Sequence, residues 1–435
     1  MSAFHIPDFR RLWLAGLIST AGDWLLLVSL PIVVYQQTGS TIGTALAFLI
    51  ELAPPVVLAP IAGRIADGPD RCRTLTAVSL LQAAALIPLL LVRGPGGLPI
   101  VYSVIAAQAA LASIFEPTKN ALLPTLVDRN RLLSANSLVG LNENLGRLVG
   151  GPLGGLLLAL GGLSAIVVAD AASFLLAAAL IAGLGARLRM PPATVTQADQ
   201  APTGAGLPAP PSPHRIRAAL KSSGLRRGLL VLFIASVAQG IFVVLFVVFV
   251  ARALHGGPGE IGLLRGVQAL GAIGAGLVLA AAARIAAGRL IAYSAFAFGL
   301  ISLAIWHGPH LTVAEPMYIA LFVAVGAPGV CLATGLTTWL QKAAPDGRRG
   351  AAFALAGVAA ATGEATGILI AGTLGDSIGL VSVLTDQAVL YLIAGLFAAG
   401  LLIDPIGQPE GAGHHDARRR RLARRSGAPT LGSSG

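Results

Sequence analysis

Seven ionisable residues stand inside long apolar runs of this chain: Asp23, Glu51, Glu143, Arg147, Asp170, Arg265 and Glu364. A charge at the centre of a bilayer costs at least about 2.5–3.5 kcal/mol on insertion scales, so each such group needs a partner or a function. Glu143 and Arg147 stand four apart on one helical face and are expected to pair. Proton coupling requires a carboxyl group whose proton affinity has been raised toward neutrality by loss of water. Asp23 and Glu51 are the first candidates for that role and Glu364 the next, because none has a cation beside it in sequence. Arg265 could instead satisfy one of them as a structural ion pair. Structural pairing is the better reading of Asp170 and of Asp386.

The elements that must carry these groups follow from composition. Of 435 residues, 55% are hydrophobic and 11% charged, with a mean hydropathy of +0.80. Soluble domains carry about 25% charged residues, so too few polar side chains exist to coat a water-facing surface. A hydrocarbon core of about 30 Å needs about 20 helical residues. Twelve apolar runs of that length begin near Leu12, Thr41, Leu75, Leu98, Ser134, Leu163, Leu229, Glu260, Leu290, Glu315, Gly350 and Leu380, the fourth ending near Leu122. The first holds Asp23, lacks a small-x-small cleavage site and is read as a retained span.

The charge of +11 and the pI near 10.7 reflect placement, not a nucleic-acid partner. If the N-terminus is cytoplasmic, the connections on that side take nearly all of the 30 lysines and arginines, Lys119 among them, and only Arg93 and Arg252 fall in the connections opposite. That bias places both termini in the cytoplasm of a multi-pass protein in the cell membrane. No basic patch interleaved with aromatics reads RNA. Cys72 and Cys331 fall in a cytoplasmic loop and a span, so no bridge is expected. Trp13, Trp24, Trp306 and Trp339 read mostly as interface anchors.

Residues 185–228, rich in Pro, Ala, Gly and Ser, form a cytoplasmic linker with a basic stretch near His214. They divide the chain into an N-terminal six-helix bundle, 1–184, and a C-terminal one, 229–403, followed by a basic tail, 404–435, suited to anionic lipid. The halves resemble each other at an offset of 220–221: Arg64-Ile65-Ala66 with Arg284-Ile285-Ala286, Pro124 with Pro345, and Glu143-x-x-Gly146 with Glu364-x-x-Gly367. Parallel repeats of this kind place a cavity between the halves at mid-membrane.

Phe9-Arg10-Arg11-Leu12-Trp13 with Gly22-Asp23, the segment Gly63-Arg64-Ile65-Ala66-Asp67-Gly68-Pro69-Asp70-Arg71-Cys72-Arg73, Phe115-Glu116-Pro117 and Gly150-Gly151-Pro152-Leu153-Gly154-Gly155 together carry a resemblance. The chain resembles the major facilitator superfamily, and within it the drug:proton antiporter branch that holds macrolide-efflux and enterobactin-exporter proteins. The resemblance implies an all-α fold of twelve transmembrane helices in two pseudo-symmetric six-helix bundles. It implies a mid-membrane cavity lined by spans one, four, seven and ten, and small-molecule export against inward protons by alternating access. It also implies a gating loop of Gly63, Asp67, Asp70, Arg71 and Arg73, tight because of Gly63 and Gly68. There Asp67 meets the N-terminus of the eleventh helix near Gly350, with Arg348 or Arg349, when the protein opens outward; otherwise these charges only set topology. The fourth span lacks the mid-membrane arginine common in such antiporters.

Gly146, Gly150, Gly151, Gly154 and Gly155 stand at small-xxx-small spacing for close helix packing, with Pro152 bending the helix, and Gly271, Gly274 and Gly276 are expected to do the same. No GxxxxGK[ST] loop, nucleophile–base pair or metal cluster occurs, so ATP-driven transport, enzymatic activity and a cofactor are not expected. The expected partners are a small-molecule substrate, protons and membrane lipid, and a single chain is the expected working unit. Uptake by the same fold, and a permease-like binding protein without net transport, remain the rival readings.

Overall fold

The computed structural model of the chain describes residues 3–128, 131–188, 223–281, 285–343 and 349–403. Most of the expected linker, with its basic stretch, and the whole expected tail lie outside the described residues. Without water, a backbone in lipid must satisfy its own hydrogen bonds, and the apolar runs are accordingly helical. They are α1 (Pro7–Thr38), α2 (Thr41–Ala66), α3 (Arg71–Ala85, continued by a 3-10 turn at Ile87–Leu91), α4 (Leu98–Leu126), α5 (132–161), α6 (163–188), α7 (Ser223–Ala253), α8 (Pro258–Ala281), α9 (Ala287–His307), α10 (Glu315–Ala343), α11 (Arg349–Leu374) and α12 (Leu380–Ile403). Pro7 starts α1 where its missing N–H costs nothing, and Gly39, at φ 63°, ends it by donating to the Tyr35 carbonyl.

Among the described residues eleven helices are long and apolar enough to cross a membrane, and one of them runs for 51 residues, Ser134–Leu184. At about 1.5 Å per residue that is about 77 Å, more than two bilayer cores. It folds back on itself at Gly162, where φ 63° and ψ −161° are open only to glycine. The proof is in the packing: Ala135 from one arm and Ile181 and Leu184 from the other share a single cluster with Phe9, Leu12 and Leu75. Among the described residues there are therefore twelve helices of membrane-spanning length.

Two faces can now be distinguished: a near face, where α1 begins, and a far face, where it ends. At the near face each half has its own core. Phe9, Leu12, Leu75, Leu123 and Ile181 fill the first half, and Leu225, Leu340, Ala352 and Ala356 fill the second. Toward the far face one core serves both, joining Leu25–Val34 of α1 to Val243–Val250 of α7 and to Ile261 of α8. The halves meet at the far face and part at the near one.

Glycines make that junction. Gly146, Gly150 and Gly154 lie on one side of α5, where an added methyl would overlap Thr20, Ala21 and Leu25 of α1. Gly151 and Gly155, on another side, lie backbone to backbone against Gly262, Gly266 and Pro258 of α8, and Pro152 packs on Gly266. The repeat is visible in space: as Gly146 sits on α1, Gly367 sits on Val237 of α7. Gly271 packs on Val323 of α10, whereas Gly274 and Gly276 face open space and do not share the role expected of them. The fourth helix runs to Leu126, so Lys119, expected in a loop, is a helical residue with 6% exposure. Cys72 likewise belongs to the first turn of α3 and is buried.

Candidate functional site

Asp23 is near the middle of α1 and Glu51 near the middle of α2, and both line one cavity of about 180 Å³. Leu26, Leu30, Pro31, Ile105 and Ala109 supply its apolar wall and Gln108 its amide. The cavity belongs to α1, α2 and α4 of the first half. Neither carboxyl group has an ion-pair or hydrogen-bond partner among the described residues. Such a pocket can hold an amphipathic molecule and offer protons to it at the same place.

Beside the cavity, Trp24 stands between two guanidinium groups. Arg147 lies 5.6 Å and Arg265 5.5 Å from its ring centroid, and Arg265 also faces Phe242 at 5.0 Å and Phe246 at 5.9 Å. The Trp24 indole donates to Glu143 Oε1 at 2.9 Å and Arg147 donates to Asn144 at 3.1 Å. The expected Glu143–Arg147 ion pair therefore does not form: each side chain turns to another partner, with the indole serving both. Arg265 forms no ion pair among the described residues either; its charge is held by three aromatic faces, and its field reaches Glu51 of the first half and Glu364 of the second. Tryptophan has thus been drawn inward. Trp24, Trp306 and Trp339 are buried and Trp13 donates to the Leu138 carbonyl at 2.8 Å, so none reads as the interface anchor expected of it. Among the described residues Asp170 also lacks the expected counter-charge, and Asp386 is exposed without one.

At the far face four chain segments meet on one arginine. Arg252, in the last turn of α7, donates to Asp376 Oδ1 at 2.8 Å, to the Gly39 carbonyl at 2.9 Å and to the Tyr35 hydroxyl at 2.5 Å. Asp376 Oδ2 in turn accepts from the Thr41 amide at 3.1 Å and the Thr41 hydroxyl at 2.9 Å. Partial burial works to raise the pKa of the Asp376 carboxyl, but the bonds from Thr41 and Arg252 outweigh it and hold it below the ordinary value. This clasp ties the α1–α2 corner of one half to α7 and α11 of the other.

The residues expected to gate the near face are arranged more locally. Gly63 is inside α2 with open space where a side chain would be, so it does not shape the loop; Gly68 does, since a methyl there would press on the Ile65 carbonyl. Asp70 caps α3 by accepting from the Arg73 amide at 3.1 Å and pairs with the Arg73 guanidinium at 3.0 Å. Arg71 donates to the Ala66 carbonyl at 3.1 Å, and Asp67 closes α2. Arg348 and the Arg349 side chain lie outside the described residues. Lys119, Trp24 and Asp376 are parts of the site or its surroundings that sequence reasoning passed over.

A family model described as transmembrane secretion effector, of the major facilitator superfamily, matches residues 1–414. The chain belongs to this family. Among curated proteins this transporter is similar to the multidrug efflux pump Tap of Mycolicibacterium fortuitum, 32% identical over 164 residues, which are 35% of this chain and 40% of that one. It is also similar to the enterobactin exporter EntS of Shigella boydii, 29% identical over 160 residues, 36% of this chain and 38% of the other. The chain thus spans about two fifths of the curated relatives it matches. Among solved structures, a bacterial homologue of the iron transporter ferroportin in an inward-facing state superposes with a TM-score of 0.70 at 17% identity, covering 90% of this chain and 98% of that one. The peptide transporter POT gives 0.70 at 13% identity, covering 92% and 94%. These likenesses are likenesses of fold, and the transporter is a multi-pass membrane protein.

Proposed function

We propose that this transporter exports a small amphipathic organic compound in exchange for protons, with both termini in the cytoplasm. The observation that carries the reading is the cavity wall. Two membrane-embedded carboxyl groups, Asp23 and Glu51, stand unpaired among leucine, isoleucine, proline and alanine side chains. The lysine and arginine bias supports the orientation, which makes the near face cytoplasmic. The likeness to Tap, a multidrug efflux pump, and EntS, an enterobactin exporter, supports the direction. In this arrangement the cavity faces the cytoplasm, where substrate enters as protons leave Asp23 and Glu51. Rocking of the halves then breaks the Arg252–Asp376 clasp, parts the glycine seam and opens the far side. Asp67, docking on the start of α11, closes the near side in that state, and Glu364 and Arg265 adjust the field at Glu51 from across the interface.

Inverted membrane vesicles with an acid interior test this. Lipophilic dyes, antibiotics and siderophores are offered outside, and accumulation driven by the pH gradient is expected for at least one class. Asp23→Asn and Glu51→Gln should each abolish the gradient-driven part while leaving the protein in the membrane. Accumulation only in right-side-out vesicles would make it an uptake carrier, and flux indifferent to the gradient in wild type would remove proton coupling.

A further inference from the structure

Asp170 is the one acidic side chain of α6, and it is completely buried. Its Oδ1 accepts a hydrogen bond from Ser173 Oγ at 3.0 Å, but that hydroxyl has a single hydrogen and also reaches the Asp170 backbone carbonyl at 2.8 Å. Among the described residues Oδ2 has no partner, and it has no access to solvent. A carboxylate served by half a hydrogen bond is not tolerated in an apolar interior, so the group needs either a proton or a neighbour to share one.

The neighbour is across α1. A methyl group on Gly22 would overlap both Asp170 Oδ1 and Ser173 Oγ, so the carboxyl group lies against the bare Cα just before Asp23. Asp170 is also the charged group whose field acts most strongly on Asp23. The other charges facing Asp23 are Glu116 and Lys119 of α4 and Glu143 of α5, and Glu51 shares its cavity from α2. Lys119 is occupied by Glu116 at 2.6 Å. The third helix, whose Leu75 and Val78 cluster with Ala177 and Ile181 of α6, has its charges Arg71 and Arg73 only in its first turn.

We propose that Asp170 is a second proton-carrying residue of the transport cycle, exchanging its proton with Asp23 past the gap left by Gly22. The step moves one proton from the Asp170 carboxyl to the Asp23 carboxylate, or back, and the negative charge moves the opposite way. Nothing is oxidised or reduced. The cavity-facing Asp23 is the port that takes up and releases protons, and Asp170 the store with which it exchanges one. This rests on the proton-coupled reading above, with Asp170 added as the residue that holds the proton out of reach of the substrate.

The test combines infrared spectroscopy and flux. Purified protein in lipid is titrated, and the carbonyl-stretch bands of protonated carboxyl groups are compared in wild type, Asp170→Asn, Asp23→Asn and Ser173→Ala. Wild type should show a band that responds to pH and vanishes in Asp170→Asn; in Asp23→Asn and Ser173→Ala it should persist but titrate differently. In vesicles, Asp170→Asn should lose about tenfold of gradient-driven flux while substrate exchange, which moves no net proton, stays within about twofold. Asp170→Glu should restore part of the loss. An Asp170 band that never responds to pH, or an Asp170→Asn flux with the wild-type pH profile, would make the residue a fixed structural acid and overturn the proposal. Should Asp170→Asn fail to fold, Ser173→Ala keeps the carboxyl group and reports the same band. If the Asp170 band titrates but Asp23→Asn changes neither it nor the flux, the role of Asp23 falls in both readings; if the band titrates and responds to Asp23→Asn although wild-type flux ignores the gradient, only the proton-driven cycle falls.

Discussion

The far-face clasp should set how often the protein opens on that side. Replacing Arg252 by Ala removes three bonds at once, to Tyr35, Gly39 and Asp376. The ion pair is 43% and 41% exposed, so water screens it heavily. An exposed pair contributes about 0.2–1 kcal/mol and each neutral hydrogen bond about 0.5–1.5, which after discounting for exposure leaves about 1–2 kcal/mol, a factor of about 5–30 in population. The assay is a distance measurement between spin labels at Ile42 and Ile378, exposed positions on opposite sides of the clasp, with Cys72 and Cys331 replaced. Arg252→Ala should move that fraction of molecules to the longer distance. The carboxyl of Asp376 adds a pH signature. Because its pKa is depressed while clasped, its contribution is complete above the free value of 3.8 and is lost as pH falls through the lower clasped value. The lengthening caused by Arg252→Ala should therefore be constant from pH 8 to 5 and shrink only in stronger acid, and Asp376→Asn should abolish that acid response. An unchanged distance in Arg252→Ala would refute the reasoning, for it would mean that the glycine seam alone closes the face.

Three further outcomes follow from the packing. Gly262→Val puts a branched side chain into the backbone of Gly151 and Gly155, an overpacking cost of about 1–3 kcal/mol, and should hold the far face apart, seen as a longer label distance and lost flux at normal protein levels. Trp24→Ala leaves Arg147 and Arg265 without the ring between them and should cost about 3–5 kcal/mol in detergent unfolding, whereas Trp24→Phe, losing mainly the bond to Glu143, should cost about 1. Glu116→Gln strands the buried Lys119 ammonium and should lower thermal stability more than Lys119→Met, which removes the charge itself.

The spans were legible because lipid demands about 20 apolar residues in succession, a signal that no tertiary contact can alter. Even the return at Gly162, a turn of one residue, showed as a new run beginning near Leu163. The cavity carboxylates Asp23 and Glu51 were legible for the same reason, since a charge inside such a run is conspicuous. Partners were not. Asp376 and Thr41 are 335 residues apart and meet only when the halves do. Glu143 and Arg147 have the spacing of a pair, yet that spacing fixes a helical face and not what stands in front of it, here the Trp24 indole. Lys119 was counted with the cytoplasmic charges although the fourth run reaches Leu122, because a linear pattern does not show that the end of α4 is buried in the bundle. Asp170 looked like one half of an ion pair because nothing in a linear pattern shows which helix its face meets.

Between α5 and α8 the far side closes on Gly151, Gly155, Gly262 and Gly266, where almost no side chain is buried. Parting the glycine seam itself uncovers little oil to water; the hydrophobic effect holds that side shut through the shared core of α1, α7 and α8 beside it. Cooling, which weakens that effect, should therefore loosen the shared core and leave the glycine seam nearly unaffected.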